Sequence, residues 1–339
     1  MTDLAIKRIL DLGFPWQTAD PFLFCVHHND FFPKGEANMA PDPKLLKGRN
    51  IGMDFEIKDG WRMYHGDTVP GFPAHPHRGF ETITVVTQGY ADHADSLGAA
   101  GRYGQGDTQW MTAGRGVQHS EMFPLLQDDQ ENTLELFQIW INLPARSKMA
   151  EPHFTMLWKE DIPVIRHQDS AGRTTQIEVV AGEVEGQKAP PPPPESWAAD
   201  PANEVAVWTL RMDPNATWAL PKAGAGVNRC LYVYGKTTIQ VNDHPVKPLQ
   251  GAVLNPDADV TLASGNEPAF ALVLQGQPIA EPVAQYGPFV MNTEAEIHQA
   301  FTDFRKDEFG GWPWPKRDPV HGRKTGRFAK HADGRVEER

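Results

Sequence analysis

The chain is poor in cysteine, short of positive charge and without a long apolar run, and each shortage removes a class of protein. Only Cys25 and Cys230 occur. They are too few and too far apart for a disulfide framework or a sulfur-rich zinc site, and both read as small buried residues of a reducing compartment. Basic residues number 32 against 44 acidic ones, a formal charge of −12, which repels phosphate backbones and argues against direct nucleic-acid binding. No window approaches the roughly 18 uninterrupted apolar residues of a membrane-crossing helix. The opening MTDLAIKRILDLGF lacks the apolar stretch and small-residue cleavage site of a signal peptide, so a cytoplasmic location is expected. Strand-like runs do not alternate with helical patterns, which disfavours a parallel α/β sheet. The glycines from Gly98 to Gly116 are not followed by the Lys and Ser or Thr of a phosphate cradle, and read as turn residues.

What is present is strand in two sets. At about 150 residues per domain, 339 residues suggest two domains. From Ile51 to Ile141, runs such as TITVVTQG and LELFQIWINL are broken by Gly, Asp and Asn. After Ala181 come EVAVWTLRM, RCLYVYG, TTIQVN, ADVTLASG and FALVLQG. Both sets have the grain of an all-β sandwich or barrel. Between them QKAPPPPPESWAADPAN has consecutive prolines without amide donors, and reads as an extended linker or surface excursion. Asn292–Phe304 opens with a cap at Asn292 or Thr293 and spaces Ile297, Ala300, Phe301 and Phe304 as one face of a short carboxy-terminal helix packed on a barrel. The polar, locally basic stretch from Arg305 to Arg339 reads as a loosely ordered, solvated tail. The expected division is 1–170, 171–305 and a tail, 306–339.

Chemistry concentrates in GFPAHPHRGFETITVVTQG and GQGDTQWMTAGRGVQHSEMFP. Side chains two apart on a strand share a face, so His75 pairs with His77 and His119 with Glu121. The 119 − 77 = 42 residues between the pairs leave room for several antiparallel strands to bring them together. Three imidazoles and a carboxylate suit one divalent ion of iron, manganese, nickel, copper or zinc, and nothing in the spacing chooses among these. Four protein ligands on an ion that prefers six leave two positions open, unlike a closed tetrahedral zinc site. Glu81, four residues after His77, shares its face and is a rival ligand. His27, His28, His65, His93, His153, His167, His244 and His298 lack such pairing and read as structural or exposed. Phe24, Phe55, Phe72, Phe80, Trp110 and Met111 either line an aromatic pocket or belong to the core.

The blocks HPHRGFETIT, HADSLG, GDTQWMTAGRGVQHSEM, LELFQIWINLPARSKM and GPFVMN resemble the pirin family, from about Gly52 to Phe304. The resemblance implies a bicupin, two antiparallel β-barrels facing one another, with a non-haem iron in the amino-terminal barrel and none in the carboxy-terminal one. The family's iron ligands fall on His75, His77, His119 and Glu121, which makes Glu81 an outer carboxylate that orients a ligand or water. The resemblance also implies a dioxygenase of quercetin-type flavonols. The substrate would chelate the iron, Glu121 would accept its hydroxyl proton, and O2 would open the ring. The alternative within the family is an iron-containing, redox-responsive regulator that binds a transcription-related or metabolic protein partner. A metal-stabilised β-protein without chemistry is the third reading. The insert before Ile51, the proline run and the tail depart from shorter family members.

Overall fold

The computed structural model describes residues 5–339; Met1–Leu4, the tip of the segment read against a signal peptide, lie outside the described residues. Strand dominates, and Glu294–Asp307 is the one α-helix among the described residues. The chain divides into two compact units, each assembled from separated stretches of sequence.

One unit comprises Met1–Val26, Ile139–Pro144 and Glu160–Ala280. Its seven-stranded sheet runs Ile6–Asp11, Gln250–Leu254, Asn228–Tyr234, Ala269–Gly276, Ala206–Met212, Thr174–Ala181, Val164–Gln168. Alternate side chains point to one face. Trp208, Leu210 and Met212, Leu231 and Val233, and Ala271 and Val273 therefore fall into one buried cluster. It is completed by Trp218, Ile239 and Leu262 from a second, four-stranded sheet. A fully buried Leu, Ile or Val contributes roughly 1.5–3 kcal/mol, so this face holds the two sheets together.

The other unit comprises His27–Gln138, Ala145–Lys159 and Glu281–Arg339. A six-stranded sheet runs Val336–Glu338, Phe328–Lys330, Ala100–Gly104, Tyr90–Asp95, Val117–Met122, Gly71–His77. A five-stranded sheet runs His153–Leu157, Thr108–Thr112, Phe80–Gln88, Asn132–Asn142, Phe22–Phe32. Phe32, Tyr103, Met111, Leu136 and Trp158 are among the buried residues packed together from the two. Thr293 caps the helix in a capping box with Glu296, as the spacing predicts, and Ile297 and Ala300 pack on Phe289 and Met291.

Two expectations need correction, and one open alternative is decided. The units do not follow the division 1–170, 171–305 and 306–339, because Ile6–Asp11 pairs antiparallel with Gln250–Leu254 and Glu281–Arg339 joins the other unit. The proline run lies within Glu160–Ala280, so it is a surface excursion of one unit and not a linker. The tail is not solvated coil. Ala329 pairs with Gly101, and Arg102, fully buried, is held by both oxygens of Asp92 and by the carbonyls of His321, Gly322 and Thr325. The basic residues that gave the tail its polar composition include one that makes an ion pair with a buried carboxylate, Arg327 with Asp107 at 2.6 Å.

Candidate metal centre

Strands Gly71–His77 and Val117–Met122 lie side by side with His75 opposite His119 and Phe72 opposite Glu121. On the other side of Val117–Met122, Tyr90–Asp95 places Asp95 opposite His119 and His93 opposite Glu121. Residues in one cross-strand row share a face. The sheet therefore presents His75, His77, His119, Glu121 and His93 together, with the first three brought together by strand pairing as the alternation predicts. Nitrogens of His75, His77 and His119 lie within 4.8 Å of one another. Their ring centroids are 4.5 Å (His75 and His119), 4.7 Å (His75 and His77) and 4.9 Å (His77 and His119) apart.

Their surroundings keep all three imidazoles neutral. Burial pushes the pKa of His75 down to about 4 and holds His77 and His119 well below the ordinary histidine value, with repulsion from neighbouring histidines, and from Arg317 at His75, adding to it. A carbonyl can only accept, so the Nδ1 of His75, 3.0 Å from Pro73 O, and that of His77, 3.4 Å from Pro288 O, carry the protons. Each Nε2 is then a lone-pair donor of the kind a metal takes. His119 is fully buried, and neither of its ring nitrogens has a hydrogen-bond partner. Such an orphan costs about 1–3 kcal/mol. The cost is relieved if a cation takes the lone pair. The three-histidine group thus fits a divalent metal ion.

The two carboxylates read from the sequence part company. Glu121 is buried on the histidine face, with Oε2 3.7 Å from His119 Nε2. It accepts hydrogen bonds from Thr84 Oγ1 at 3.0 Å, Gln138 Nε2 at 2.9 Å and Tyr103 Oη at 3.5 Å. Burial raises its pKa. Both carboxylates lie outside the three-histidine group; Glu81 accepts from Thr112 Oγ1 at 2.6 Å and Trp110 Nε1 at 3.2 Å across its own sheet. Of the aromatic candidates, Phe80 and Phe72 stand beside the histidines, at 5.1 Å from His77 and 6.2 Å from His75. Met111 is core, Trp110 serves Glu81, and Phe24 packs on Trp140 at 4.2 Å in the other unit.

His93, read as structural or exposed, is fully buried with its ring 5.7 Å from that of His119 and its Nε2 3.4 Å from Asp95. The signal was present: His93 and Asp95 are two apart, the spacing of the other clamps. Thr84, Gln138 and Tyr103 left no such trace, because only strand packing aims them at Glu121. The GPFVMN block acts from a distance in sequence. Pro288 receives His77, and Val290 N donates to Arg78 O at 3.0 Å. Buried Lys148 bridges the carbonyls of Gly79 and Val290 at 2.9 and 3.1 Å. Gly79, at φ +85°, is required there, since a Cβ would stand 1.9 Å from Val290 O.

This geometry is matched by relationship. The sequence fits the Pirin family model over residues 49–141 and the Pirin C-terminal cupin domain model over residues 207–310. A Pseudomonas aeruginosa protein with the provisional name quercetin 2,3-dioxygenase is 38% identical over 241 residues, which span 70% of this chain and 79% of that protein. Pirin of Homo sapiens is 34% identical over 252 residues, 73% of this chain and 80% of its own. The crystal structure of quercetin 2,3-dioxygenase from Acinetobacter baumannii has a TM-score of 0.66 at 28% identity, covering 91% of this chain and 96% of that one. With both family models matched in order and relatives aligned over most of their length, this chain belongs to the pirin family.

Proposed function

We propose that the chain is an iron-dependent dioxygenase that opens a flavonol-type substrate with O2, with His75, His77, His119 and Glu121 as its metal ligands. The observation that carries the reading is the neutral three-histidine group, His75 half-buried and His77 and His119 buried, with neither nitrogen of His119 hydrogen-bonded. Relatives named for quercetin 2,3-dioxygenase activity support the substrate class. When bound, the ion supplies Lewis-acid polarisation of a chelating hydroxyl and carbonyl.

The chain's own residues do the rest. Three uncharged imidazoles bind the cation without repelling it, and Glu121 supplies the one negative charge of the set. Its raised proton affinity suits it to accept the substrate hydroxyl proton, while Thr84, Gln138 and Tyr103 hold the carboxylate in place as it does so. Phe72, half-buried beside His75, offers an apolar face against which a flat ring packs while water is displaced.

The test is aerobic turnover of quercetin by the iron-reconstituted chain and by His119→Ala, following loss of the flavonol absorbance together with carbon monoxide release. Metal-dependent cleavage by the wild type alone is expected. Iron bound stoichiometrically without consumption of any flavonol overturns the dioxygenase reading.

A further inference from the structure

The unit without the histidine group has a cavity of its own, of about 600 Å³, between the sheet and the segment that carries the proline run. That volume is in the range of small-molecule sites, about 300–1,000 Å³. Ala206, Gln275 and Arg229 form one cross-strand row, with Gln275 paired to both neighbours. Because Ala206 belongs to the buried cluster between the two sheets, as do Leu231 and Val233 two and four residues after Arg229, the row faces the interior. An arginine therefore occupies an inward-facing position at the end of an otherwise apolar strand face, 2% exposed.

No carboxylate accepts a hydrogen bond from this guanidinium, although the charge of Glu204 acts on it from nearby. Arg229 Nε donates to Gln275 Oε1 at 2.7 Å and its Nη1 to Pro221 O at 2.6 Å, both neutral acceptors. Five N–H donors less these two leave three, all on the outer Nη1 and Nη2 edge that forks a carboxylate. Nη2 makes no hydrogen bond and is not sealed from solvent, so the cavity is what it faces. Glu204 also lines the cavity, but its carboxylate accepts from Gly224 N at 2.9 Å and makes no ion pair with Arg229. At the rim, Glu183 and Asp200 balance Lys188 and Lys222, and Glu204 balances Arg229, so the cavity is neutral overall and what Arg229 offers it is hydrogen-bond donors. Burial lowers the pKa of Arg229 to about 10, still charged at neutral pH. Outer N–H donors left without acceptors are satisfied when a ligand brings them.

The walls are apolar and pinned. Trp208 and Val205 line one side and Pro190, Pro191 and Pro192 another. The segment is tied back through Trp197 Nε1 to Gln277 O at 2.8 Å and Gln275 Nε2 to Glu204 O at 3.1 Å. Consecutive prolines hold an extended wall at little entropic cost. We infer that this cavity is a second ligand site, for a small organic carboxylate with an apolar body, its carboxylate forked by Arg229 and its body against Trp208 and the proline wall.

Calorimetric titration of the full chain with benzoate, cinnamate and hexanoate, and with neutral benzamide, tests this. At least one carboxylate is expected to bind saturably, benzamide at least about tenfold more weakly, and Arg229→Gln to lose about tenfold or more for that carboxylate. Ala199→Trp, which leaves Arg229 in place and fills the cavity from an exposed position, is expected to lose it as well, and His119→Ala to keep it. Saturable binding by none of the three carboxylates overturns the site. So does wild-type binding in a folded Arg229→Gln or Ala199→Trp protein, and so does binding lost in His119→Ala, which would seat the carboxylate at the histidines.

Discussion

Replacing His119 by leucine is expected to leave the metal-free protein about as stable as the wild type or more so, and to abolish its stabilisation by metal. His119 is fully buried, neutral, and has no hydrogen-bond partner at either nitrogen. Removing a buried unpaired polar group relieves about 1–3 kcal/mol, and a reshaped side chain of similar volume costs up to about 1.5 kcal/mol. The metal-free variant should therefore fall between near-equal stability, about 0.5 kcal/mol below the wild type, and about 3 kcal/mol above it. Metal moves the balance toward the wild type. An ion that binds only the folded state at a hundredfold excess over its Kd adds about 2.7 kcal/mol. At about 2–4 °C per kcal/mol for a unit of this size, that raises the wild-type midpoint by roughly 5–10 °C and leaves the variant unmoved. Thermal unfolding followed by tryptophan fluorescence, anaerobically, with chelator or with excess ferrous iron, measures all four states. A metal-free His119→Leu protein more than about 3 kcal/mol less stable than the wild type would refute the reasoning, because it would make His119 a packed core residue whose ring the fold needs.

Two further outcomes follow from the bracing of the His77 strand. Gly79→Ala forces a Cβ against Val290 O at a positive φ and should cost at least about 2 kcal/mol while weakening metal binding, since His77 rests on the same segment through Pro288; a wild-type midpoint and affinity by calorimetry would show that the segments part freely. Burial lowers Lys148 to about 8. Its folded pKa lies below its unfolded value, so the cost of burying the ammonium is present in full below pH 8 and is relieved as pH rises toward about 10.4. Urea midpoints of the wild type should accordingly climb between pH 7.5 and 10 relative to Lys148→Met, and parallel pH profiles for the two proteins would count against a charged, buried Lys148.

The histidine group was legible because strand alternation is a local rule. His75 and His77, and His119 and Glu121, share faces wherever their strands go, and turn residues between them promised antiparallel neighbours. The helix was legible for the same reason, its cap and spacing being contained in about a dozen residues. Glu121 was legible as a residue of the face, while its holders were not: Thr84, Gln138 and Tyr103 come from three other strands, and a hydroxyl or amide in a strand looks alike whether it faces a carboxylate or water. His93 was passed over although it has the spacing of the other clamps, because its partner is an aspartate that also reads as a turn residue; indeed Asp95 accepts from the amides of Leu97 and Ala99.

By itself, then, the sequence determined the all-β class, the two strand sets, the capped helix and which side chains share the histidine face. All of these depend on periodicities of a few residues. Only the tertiary structure decided that Ile6–Asp11 joins Gln250–Leu254, that the basic tail closes over Arg102, that Glu81 serves Trp110 and Thr112, and that Arg229 lines a cavity walled by prolines. Those outcomes depend on pairings across tens to hundreds of residues, where composition carries no information about the partner and the burial of a charge is set by what happens to pack against it.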